Sequence, residues 1–306
     1  MRLSQFDLNQ LLALDALLTE KSVSKAAERM FLSQSAMSSA LGRLRESFGD
    51  KLLISVGRKM ILTPLGNQLA QPVREVLMRI QAITSMAPDF DPQSSERTIM
   101  LVGSDYLGPV FLCEALRRAS LEAPKVKILM RPVDSDYPEQ LERGDIDLVI
   151  SPDIFSLKDY PSELLFQDTY CCIAWSQNER IANSISVGQY QETGQVVLEL
   201  GQGRVLTYDE WWHRHSGQSR NTEIVVPYYS LLPHFVIGTG RIATIQTRLA
   251  RCYAQYLPLK LLPLPFEMPP RVEVLQYHQY QELDRAHTWF RNLLHEVARD
   301  LIAKDG

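Results

Sequence analysis

Cysteine is scarce in this chain of 306 residues, which contains only Cys113, Cys171, Cys172 and Cys252. These four residues form no Cys-x-x-Cys pair and no Cys/His cluster with the spacing of metal ligands. We therefore expect ordinary buried thiols and no metal site. Cys171 and Cys172 are adjacent on a predicted strand, so their side chains should point to opposite faces of a sheet.

Long apolar runs are also missing, since none approaches the roughly 20 residues needed to span a bilayer. Polar residues interrupt the N-terminal stretch MRLSQFDLNQLLALDALL at Asp7, Asn9, Gln10 and Asp15. This pattern predicts an amphipathic helix and argues against a secretory signal. We expect a cytoplasmic protein with no membrane partner, which argues against a secreted solute-binding protein.

The sequence contains no complete catalytic motif that stands out. The glycine-rich segment GQGR at 201–204 lacks the strand–GxxxxGK[ST]–helix context of a phosphate-binding loop. His213 and His215 are two residues apart, which is the wrong spacing for one helical face, and no third ligand is nearby. No serine elbow or Cys/His pair is apparent. We expect neither an enzyme nor a cofactor, and substrate turnover would favour the rival enzyme hypothesis.

The charge is unevenly distributed along the chain. Residues 1–66 contain nine Lys/Arg and six Asp/Glu, a net charge of +3 within a chain whose total is −4. The remaining 240 residues then carry 23 basic and 30 acidic residues, a net charge of −7. This asymmetry favours a basic nucleic-acid reader joined to an acidic sensor.

The first 66 residues carry the pattern of a winged helix-turn-helix. Leucines recur with helical spacing over 6–20, Ser24 is placed to cap a helix over Lys25–Met30, and Ser33 is placed to cap a helix over Gln34–Phe48. Residues 52–64 alternate around Gly57-Arg58 and predict a hairpin. The core of the helix pair is expected to be formed by Ala26, Ala27, Met30, Leu32, Met37 and Ala40.

The outer face of the second helix, over 34–48, is small, polar or basic, as entry into the major groove requires. No acidic residue occurs from Met30 to Arg45, which removes repulsion from phosphates. A glutamine near the helix start can bind adenine with two hydrogen bonds, and serines can reach phosphates or base edges. A generic pair of core helices is the alternative interpretation, and the following hairpin argues against it.

After residue 64 the chain has two further parts. Residues 65–86 repeat apolar side chains at steps of three and four, so this helix needs an apolar partner, either a second copy or its own chain. The stripe consists of Leu65, Leu69, Val73, Val76, Ile80 and Ile83. Residues 88–97 have the composition of a linker, and strands then alternate with helices, which predicts parallel sheets covered by helices.

The stretch AAERMFLSQSAMSSALGRLRESFGDKLL, with the later Arg58 and LTPLG, spans 26–66 and resembles the LysR-type transcriptional regulators. The segments ERTIMLVGSD, GDIDLVIS and VPYY…IATIQTRLA extend the resemblance along the rest of the chain. It is most similar to the branch of the nodulation regulators and the naphthalene/salicylate regulators. The resemblance implies an α/β chain with a winged helix-turn-helix over 1–64 and a dimerising linker helix over 65–89. A two-lobed periplasmic-binding-protein-like effector domain is implied over 90–306, with lobe I at about 97–167 and 268–306 and lobe II at about 168–267.

The resemblance further implies a homodimer or homotetramer that binds partly palindromic promoter DNA. It implies activation or repression of genes through RNA polymerase in response to a small inducer, an aromatic acid or a phenolic. The residues expected to contact DNA are Ser24, Lys25, Ser33, Gln34, Ser35, Ser38, Ser39 and Arg43, with Arg58 and Lys59 in the wing. The family often has arginine where this chain has Ser55, which puts one phosphate contact in doubt, and Ser35 replaces a frequent proline.

The inducer is expected where strand ends and helix N-termini converge between the lobes. An arginine fork there would bind a carboxylate with two hydrogen bonds, although surface ion pairs are the alternative role for such arginines. Ser104 and Asp105 open the first helix of the domain, where N-capping is the competing role. The expected inducer-binding residues are Ser104, Asp105, Pro152, Thr169, Gly203, Arg204, Tyr229 and Arg248.

Overall fold

The computed structural model describes residues 7–57, 59–84, 90–203 and 205–304. Contacts divide the chain into two compact units, Met1–Met86 and Ala87–Gly306. Each unit has its own apolar core.

The first unit begins with three helices, α1 (Leu8–Glu20), α2 (Val23–Arg29) and α3 (Gln34–Phe48). Side-chain oxygens of Asp7, Ser22 and Ser33 cap them by accepting hydrogen bonds from backbone N–H groups of the first turn. The expectation for Ser33 is confirmed, but the expectation for Ser24 is wrong. Helix α2 begins at Val23, so Ser24 lies inside it, and its cap is Ser22.

The core of this unit lies between the three helices. Ala26, Ala27, Met37 and Ala40 are buried there, as the sequence predicts, whereas Leu32 is 45% exposed. Leu32 lies in the turn between α2 and α3, where its backbone N–H bonds to the carbonyl of Ala27 and its side chain points outward. The turn geometry therefore overrides the apolar character of this residue.

The predicted hairpin is confirmed as strands β1 (Leu53–Val56) and β2 (Lys59–Leu62), which pair antiparallel with Val56 opposite Lys59. This register leaves a two-residue turn that begins at Gly57, where φ is +61°. The strands form the wing, and Arg45 of α3 holds them through hydrogen bonds to the carbonyls of Lys51 and Leu53, both 2.8 Å.

Helix α4 (Pro64–Thr84) follows the wing and contains Pro72 in its interior. The first half of its apolar stripe, including Leu65, Leu69 and Val73, packs against the core of its own unit. The second half is open, because Val76 is 44% exposed and Ile83 is 63% exposed. The first half of the stripe therefore packs on its own chain, and a second copy as the partner of the exposed half stays a prediction.

The second unit contains two five-stranded sheets, each with helices on its faces. Lobe I has the strand order β4-β3-β5-β12-β6. Its strands are β3 (Thr98–Val102), β4 (Lys127–Arg131), β5 (Leu148–Pro152), β6 (Ser162–Asp168) and β12 (Arg271–Tyr277), and its helices are α5 (Cys113–Glu122), α6 (Tyr137–Glu142) and α11 (Arg285–Ala303).

Lobe II has the strand order β11-β7-β10-β8-β9. Its strands are β7 (Tyr170–Trp175), β8 (Gly194–Leu198), β9 (Asn221–Val226), β10 (Ile242–Gln246) and β11 (Leu259–Leu262), and its helices are α7 (Val187–Glu192), α8 (Tyr208–Ser216), α9 (Leu232–Val236) and α10 (Thr247–Ala254). The chain passes from lobe I to lobe II between β6 and β7 and returns between β11 and β12.

Neither sheet is purely parallel, which corrects the sequence-based expectation. Strand β12 runs antiparallel to β5 and β6, and β7 runs antiparallel to β10 and β11. Both exceptions involve strands next to a crossing between the lobes. Two consecutive parallel strands of one sheet need a long crossover connection, usually a helix. These two strands enter their sheets directly from the other lobe, so no such connection fixes their direction.

The cysteines only partly follow expectation. Cys171 and Cys172 are buried in two different apolar clusters, so they face opposite sides of β7 as predicted. Burial raises the pKa of Cys171 to about 12. Cys113, however, is exposed at the start of α5, and the expectation of a buried thiol is wrong for it.

Candidate functional site

Helix α3 separates a buried face from an exposed polar face. Met37, Ala40, Leu41 and Leu44 are buried against the core of the first unit. The opposite face carries the exposed side chains of Gln34, Ser35, Ser38, Ser39 and Arg43. Five of the predicted DNA-contacting residues thus share one surface, the reading face.

The other predicted DNA contacts lie around this face. Ser33 is exposed, and its hydroxyl accepts a hydrogen bond from the N–H of Ala36 at 3.2 Å, so capping α3 already occupies it. Ser24 and Lys25 are exposed on α2, and Lys59 is exposed on the wing strand β2. Arg58 lies outside the described residues.

A cavity of about 290 Å³ lies between the two lobes of the second unit. Lobe I contributes the end of β5 and the segments after β3 and β4, and lobe II contributes Leu200, residues 205–208 and Tyr229. The lining residues are Ser104, Val133, Ser135, Tyr137, Ile150, Ser151, Pro152, Phe155, Leu200, Val205, Leu206, Thr207, Tyr208, Tyr229 and Arg271. Apolar and aromatic side chains dominate this wall, as in sites for small organic ligands.

Two hydroxyl groups in the cavity wall have no hydrogen-bond partner among the described residues. They belong to Ser104 and Ser151, which are both 5% exposed. A buried hydroxyl without a partner loses its interaction with water and gains nothing in exchange. A ligand with oxygen or nitrogen atoms facing these serines would restore the missing hydrogen bonds.

Among the described residues of the cavity wall, Arg271 is the one cation, and it is only 3% exposed. Its guanidinium forms an ion pair with the fully buried Glu273 and donates a hydrogen bond to the Tyr229 hydroxyl at 3.1 Å. Burial disfavours the charged form of Arg271, but the carboxylate of Glu273 outweighs this effect and holds the pKa above its ordinary value. Burial in turn raises the pKa of Glu273, against the attraction of Arg271. The arginine therefore faces the cavity as half of a neutral pair.

Aromatic rings hold this pair in place. The Arg271 guanidinium carbon lies 5.0 Å from the centroid of the Tyr106 ring and 6.0 Å from that of Tyr229. On the lobe II side, the Tyr208 ring stacks on Tyr170 with centroids 5.6 Å apart and an interplanar angle of 11°. Tyr208 therefore forms a flat wall whose orientation is fixed from behind.

The predicted inducer-binding residues fall into two groups. Ser104, Pro152 and Tyr229 line the cavity. Asp105, Thr169, Gly203 and Arg248 do not line it, and Arg204 lies outside the described residues.

Asp105 instead joins the two lobes. Its carboxylate accepts hydrogen bonds from the backbone N–H of Tyr229 at 3.1 Å and of Ser230 at 2.8 Å. These N–H groups lie at the start of the turn 229–231, so a carboxylate of this chain occupies the helix-end position expected for a ligand. Through these hydrogen bonds Asp105 holds the backbone of Tyr229 in place beside the cavity.

Thr169 and Arg248 lie at the crossing between the lobes. The Thr169 hydroxyl bonds to that of Thr247 at 2.8 Å. The Arg248 guanidinium donates to the carbonyls of Leu301 and Gln167, both at 3.4 Å, and lies 5.9 Å from the Phe166 ring centroid. Gly203 borders a neighbouring pocket behind the segment 205–207.

Sequence reasoning missed Arg271, Ser151 and Tyr208. Arg271 opens the apolar segment RVEVLQY, so a charge at the start of a buried strand was a usable signal. Ser151 and Tyr208 carried no such signal, because many serines and tyrosines occur in comparable contexts.

The two histidines of WWHRH have different surroundings. His213 is buried, with its Nε2 3.3 Å from the Tyr190 hydroxyl, while His215 is exposed. In the described parts of the chain, no group of three His, Cys, Asp or Glu side chains is arranged to hold a metal ion. Of the helices that the structure describes, none combines the length and the apolarity needed to cross a membrane.

Comparisons with known proteins agree with this architecture. Residues 8–67 match the bacterial regulatory helix-turn-helix protein model of the lysR family, and residues 92–299 match the LysR substrate binding domain. The chain is 38% identical over 302 residues to nodulation protein D 1 of Rhizobium tropici, with 98% of each chain covered. It is 36% identical over 300 residues to nodulation protein D 1 of Rhizobium meliloti (strain 1021), with 97% of each covered.

Solved structures show the same fold. A probable transcriptional regulator from Pseudomonas aeruginosa superposes with a TM-score of 0.64 at 28% identity, covering 96% of this chain and 98% of that one. Full-length OxyR from the same organism gives a TM-score of 0.70 at 17% identity, covering 96% and 95%, and supports the fold alone. With two family models matched and relatives above 30% identity along almost the whole chain, the protein belongs to the LysR family of transcriptional regulators, with a helix-turn-helix DNA-binding domain and an effector-binding domain.

Proposed function

We propose that this LysR-family regulator binds a partly palindromic promoter site as a dimer or tetramer and activates or represses genes in response to a small phenolic inducer. RNA polymerase is the partner through which transcription would change. The observation that carries the proposal is the interlobe cavity, which combines aromatic walls, two unpartnered serine hydroxyls and an arginine whose charge is already neutralised.

The reading face supports the DNA-binding part. Its exposed residues are polar or basic, and α3 and the turn before it contain no acidic residue from Met30 to Arg45. Gln34 begins the helix and can bind adenine with two hydrogen bonds, while the serines and Arg43 can reach phosphates or base edges. Lys59 on the wing adds a cation beside the helix.

The charge balance of the cavity favours phenols over aromatic acids as ligands. A carboxylate entering the cavity needs a cation whose charge is uncompensated, since burying an ion without a partner is costly. Arg271 is paired with Glu273, so a carboxylate ligand would meet an anion as well as a cation. A neutral phenol needs only hydrogen bonds, which the Ser104 and Ser151 hydroxyls can provide, and aromatic walls to stack on.

The lobe contacts suggest how an inducer would act. Tyr229 lines the cavity, and Asp105 binds its backbone from the opposite lobe. An inducer that contacts both lobes would favour one arrangement of them over others, and the population of that arrangement would rise. We expect this change to alter DNA bending and polymerase access in the assembled regulator.

The DNA-binding part is tested by selecting duplexes from a random pool with the purified protein and then measuring affinities. Arg43→Ala should weaken binding and lower the slope of log K against log salt concentration by about one, because one phosphate contact is lost. Ser38→Ala should weaken binding to the selected duplex more than binding to a random duplex, if it contacts a base edge.

The matched control is Arg117→Ala, because Arg117 is 61% exposed on α5 of the other unit. This variant should bind DNA as the wild-type protein does. Wild-type protein that selects no duplex would overturn the proposal, and full binding by Ser38→Ala and Arg43→Ala would remove these residues as contacts.

A further inference from the structure

Phe31 is an aromatic side chain held in solvent by a strained backbone. It is 97% exposed, and its φ is +53°. Positive φ values are uncommon outside glycine and asparagine, and for a bulky residue they cost free energy. Burial usually compensates such strain, but Phe31 has no burial.

The strained conformation comes from the turn between α2 and α3. The N–H of Phe31 bonds to the carbonyl of Glu28 at 3.1 Å, and the N–H of Leu32 bonds to that of Ala27 at 2.9 Å. This pattern ends a helix with a left-handed residue, a position that glycine or asparagine usually occupies. The fold therefore explains the backbone at position 31, but it does not explain why the side chain is phenylalanine.

The position of Phe31 supplies a reason. It lies three residues before Gln34, the first residue of α3, and two before the cap Ser33. Phe31 therefore directly precedes the reading face along the chain. Glu28 on the preceding turn is exposed, but from Arg29 to Arg45 the chain contains three arginines and no acidic residue. The charge on the α3 side of Phe31 therefore favours a polyanion over an acidic protein surface.

The DNA backbone has apolar surface between its phosphates, on the deoxyribose rings. In a helix-turn-helix the second helix enters the major groove and the first helix crosses the DNA backbone. A residue in the turn between them is therefore expected beside that backbone and not above the base edges. We propose that Phe31 packs on deoxyribose of this flanking backbone and adds a sequence-independent apolar contact to DNA binding. This inference rests on the proposed DNA-binding function of the chain.

An apolar contact of this kind has a signature that a charged contact lacks. Binding through arginine or lysine releases counterions, so its loss lowers the dependence of affinity on salt. Loss of the Phe31 ring should lower affinity by about tenfold, from the apolar area that it buries, and leave the salt dependence unchanged. Since a sugar carries no sequence information, selected and random duplexes should lose affinity by the same factor.

The test measures binding of the full chain to a labelled selected duplex and to a random duplex over a series of salt concentrations. Phe31→Ala should weaken binding to both duplexes by about the same factor, with an unchanged salt slope. Phe31→Tyr keeps the aromatic ring and should retain wild-type affinity. Phe31→Asn should weaken binding like Phe31→Ala but raise the unfolding midpoint of the DNA-binding unit, because asparagine tolerates the left-handed conformation. Leu121→Ala removes another exposed apolar side chain (69% exposed, on α5). It should change neither the affinity for DNA nor the unfolding midpoint of the DNA-binding unit.

Equal affinity of Phe31→Ala and the wild-type protein would overturn the inference while leaving the DNA-binding function intact. A lower salt slope would show that the effect is electrostatic, and a changed oligomeric mass would show that Phe31 contacts a second copy. Either result overturns the sugar contact. If the wild-type protein binds no duplex, the proposed function fails, and the inference fails with it.

Discussion

Asp168 lies where the chain crosses from lobe I to lobe II, and its carboxylate joins three segments. It accepts hydrogen bonds from the Tyr106 hydroxyl at 2.9 Å and from the backbone N–H groups of Thr169 at 2.8 Å and Arg248 at 3.3 Å. Burial raises the pKa of Asp168 to about 6, although the Tyr106 hydrogen bond and the charge of Arg248 favour the ionised form. The crossing thus contains a carboxyl group that titrates not far below neutral pH.

The effector domain should therefore lose stability as pH rises through this range. Because the pKa of Asp168 in the folded protein lies above its ordinary value of 3.8, protonation favours folding. This contribution is fully present below pH 3.8 and is lost as pH rises through about 6. It corresponds to about 3 kcal/mol of unfolding free energy. Tryptophan fluorescence during denaturation measures it, because all four tryptophans lie after residue 87.

Asp168→Asn should remove this pH dependence, since the amide keeps an acceptor oxygen and does not titrate. Asp159→Asn, at an exposed position, should keep the wild-type profile. If the wild-type protein and Asp168→Asn gave parallel profiles, the crossing would not be the source of the pH dependence.

Helix α4 lies in two different environments. Its first half belongs to the core of the DNA-binding unit, whereas Val76 and Ile83 in its second half are 44% and 63% exposed. An amphipathic helix with an open apolar stripe gains stability from a second apolar surface. A second copy of α4 is the partner that would also bring two reading faces to a palindromic site.

Replacing Val76 and Ile83 together by glutamate should separate such a dimer, because charges would have to be buried in its interface. Light scattering after gel filtration should show the mass of a smaller species, and affinity for a selected duplex should fall. Asn67→Glu adds a charge at an exposed position of the same helix and serves as the control, with no expected change in mass. An unchanged mass for the double variant would place the dimer contacts elsewhere.

The effector domain has a cavity where its two lobes meet. Lobe I provides Ser104, Ser151 and the Arg271–Glu273 pair, and lobe II provides Tyr208 and Tyr229. The main apolar core of the unit also contains side chains from both sheets. A ligand in the cavity therefore contacts both lobes. It binds the folded domain and not the unfolded chain, in which the cavity does not exist.

A neutral hydroxylated aromatic compound should therefore raise the unfolding temperature reported by tryptophan fluorescence, and the matching aromatic carboxylate should raise it less. A ligand at a hundred times its Kd would add about 2.7 kcal/mol of stability. Ser104→Ala and Ser151→Ala should each reduce the shift caused by the phenol. Ser120→Ala, at an exposed position on α5, should leave it unchanged. A larger shift from the carboxylate would show that Glu273 does not neutralise Arg271 toward ligands.

The local elements were predictable because their signals lie within a few residues of one another. The Ser33 cap, the Gly57 turn and the polar face of α3 all follow from short patterns and were found in the structure. The choice between Ser22 and Ser24 was not predictable, because both serines suit a helix start. The helix begins at Val23, with Ala26 and Ala27 buried against the other helices, and Ser22 is then left at the capping position.

The family, the division into two units and the polar outer face of α3 could all be derived from the order of amino acids along the chain. Tertiary structure alone decided the composition of the cavity, since Ser104, Tyr208 and Arg271 are far apart along the chain and meet only when both lobes have folded. It also decided which arginine faces the cavity. Arg248 meets carbonyl groups at the crossing, while Arg271 enters the cavity wall with Glu273 beside it. Local patterns carry no information about such pairings, because the buried position of a charge depends on contacts between distant segments.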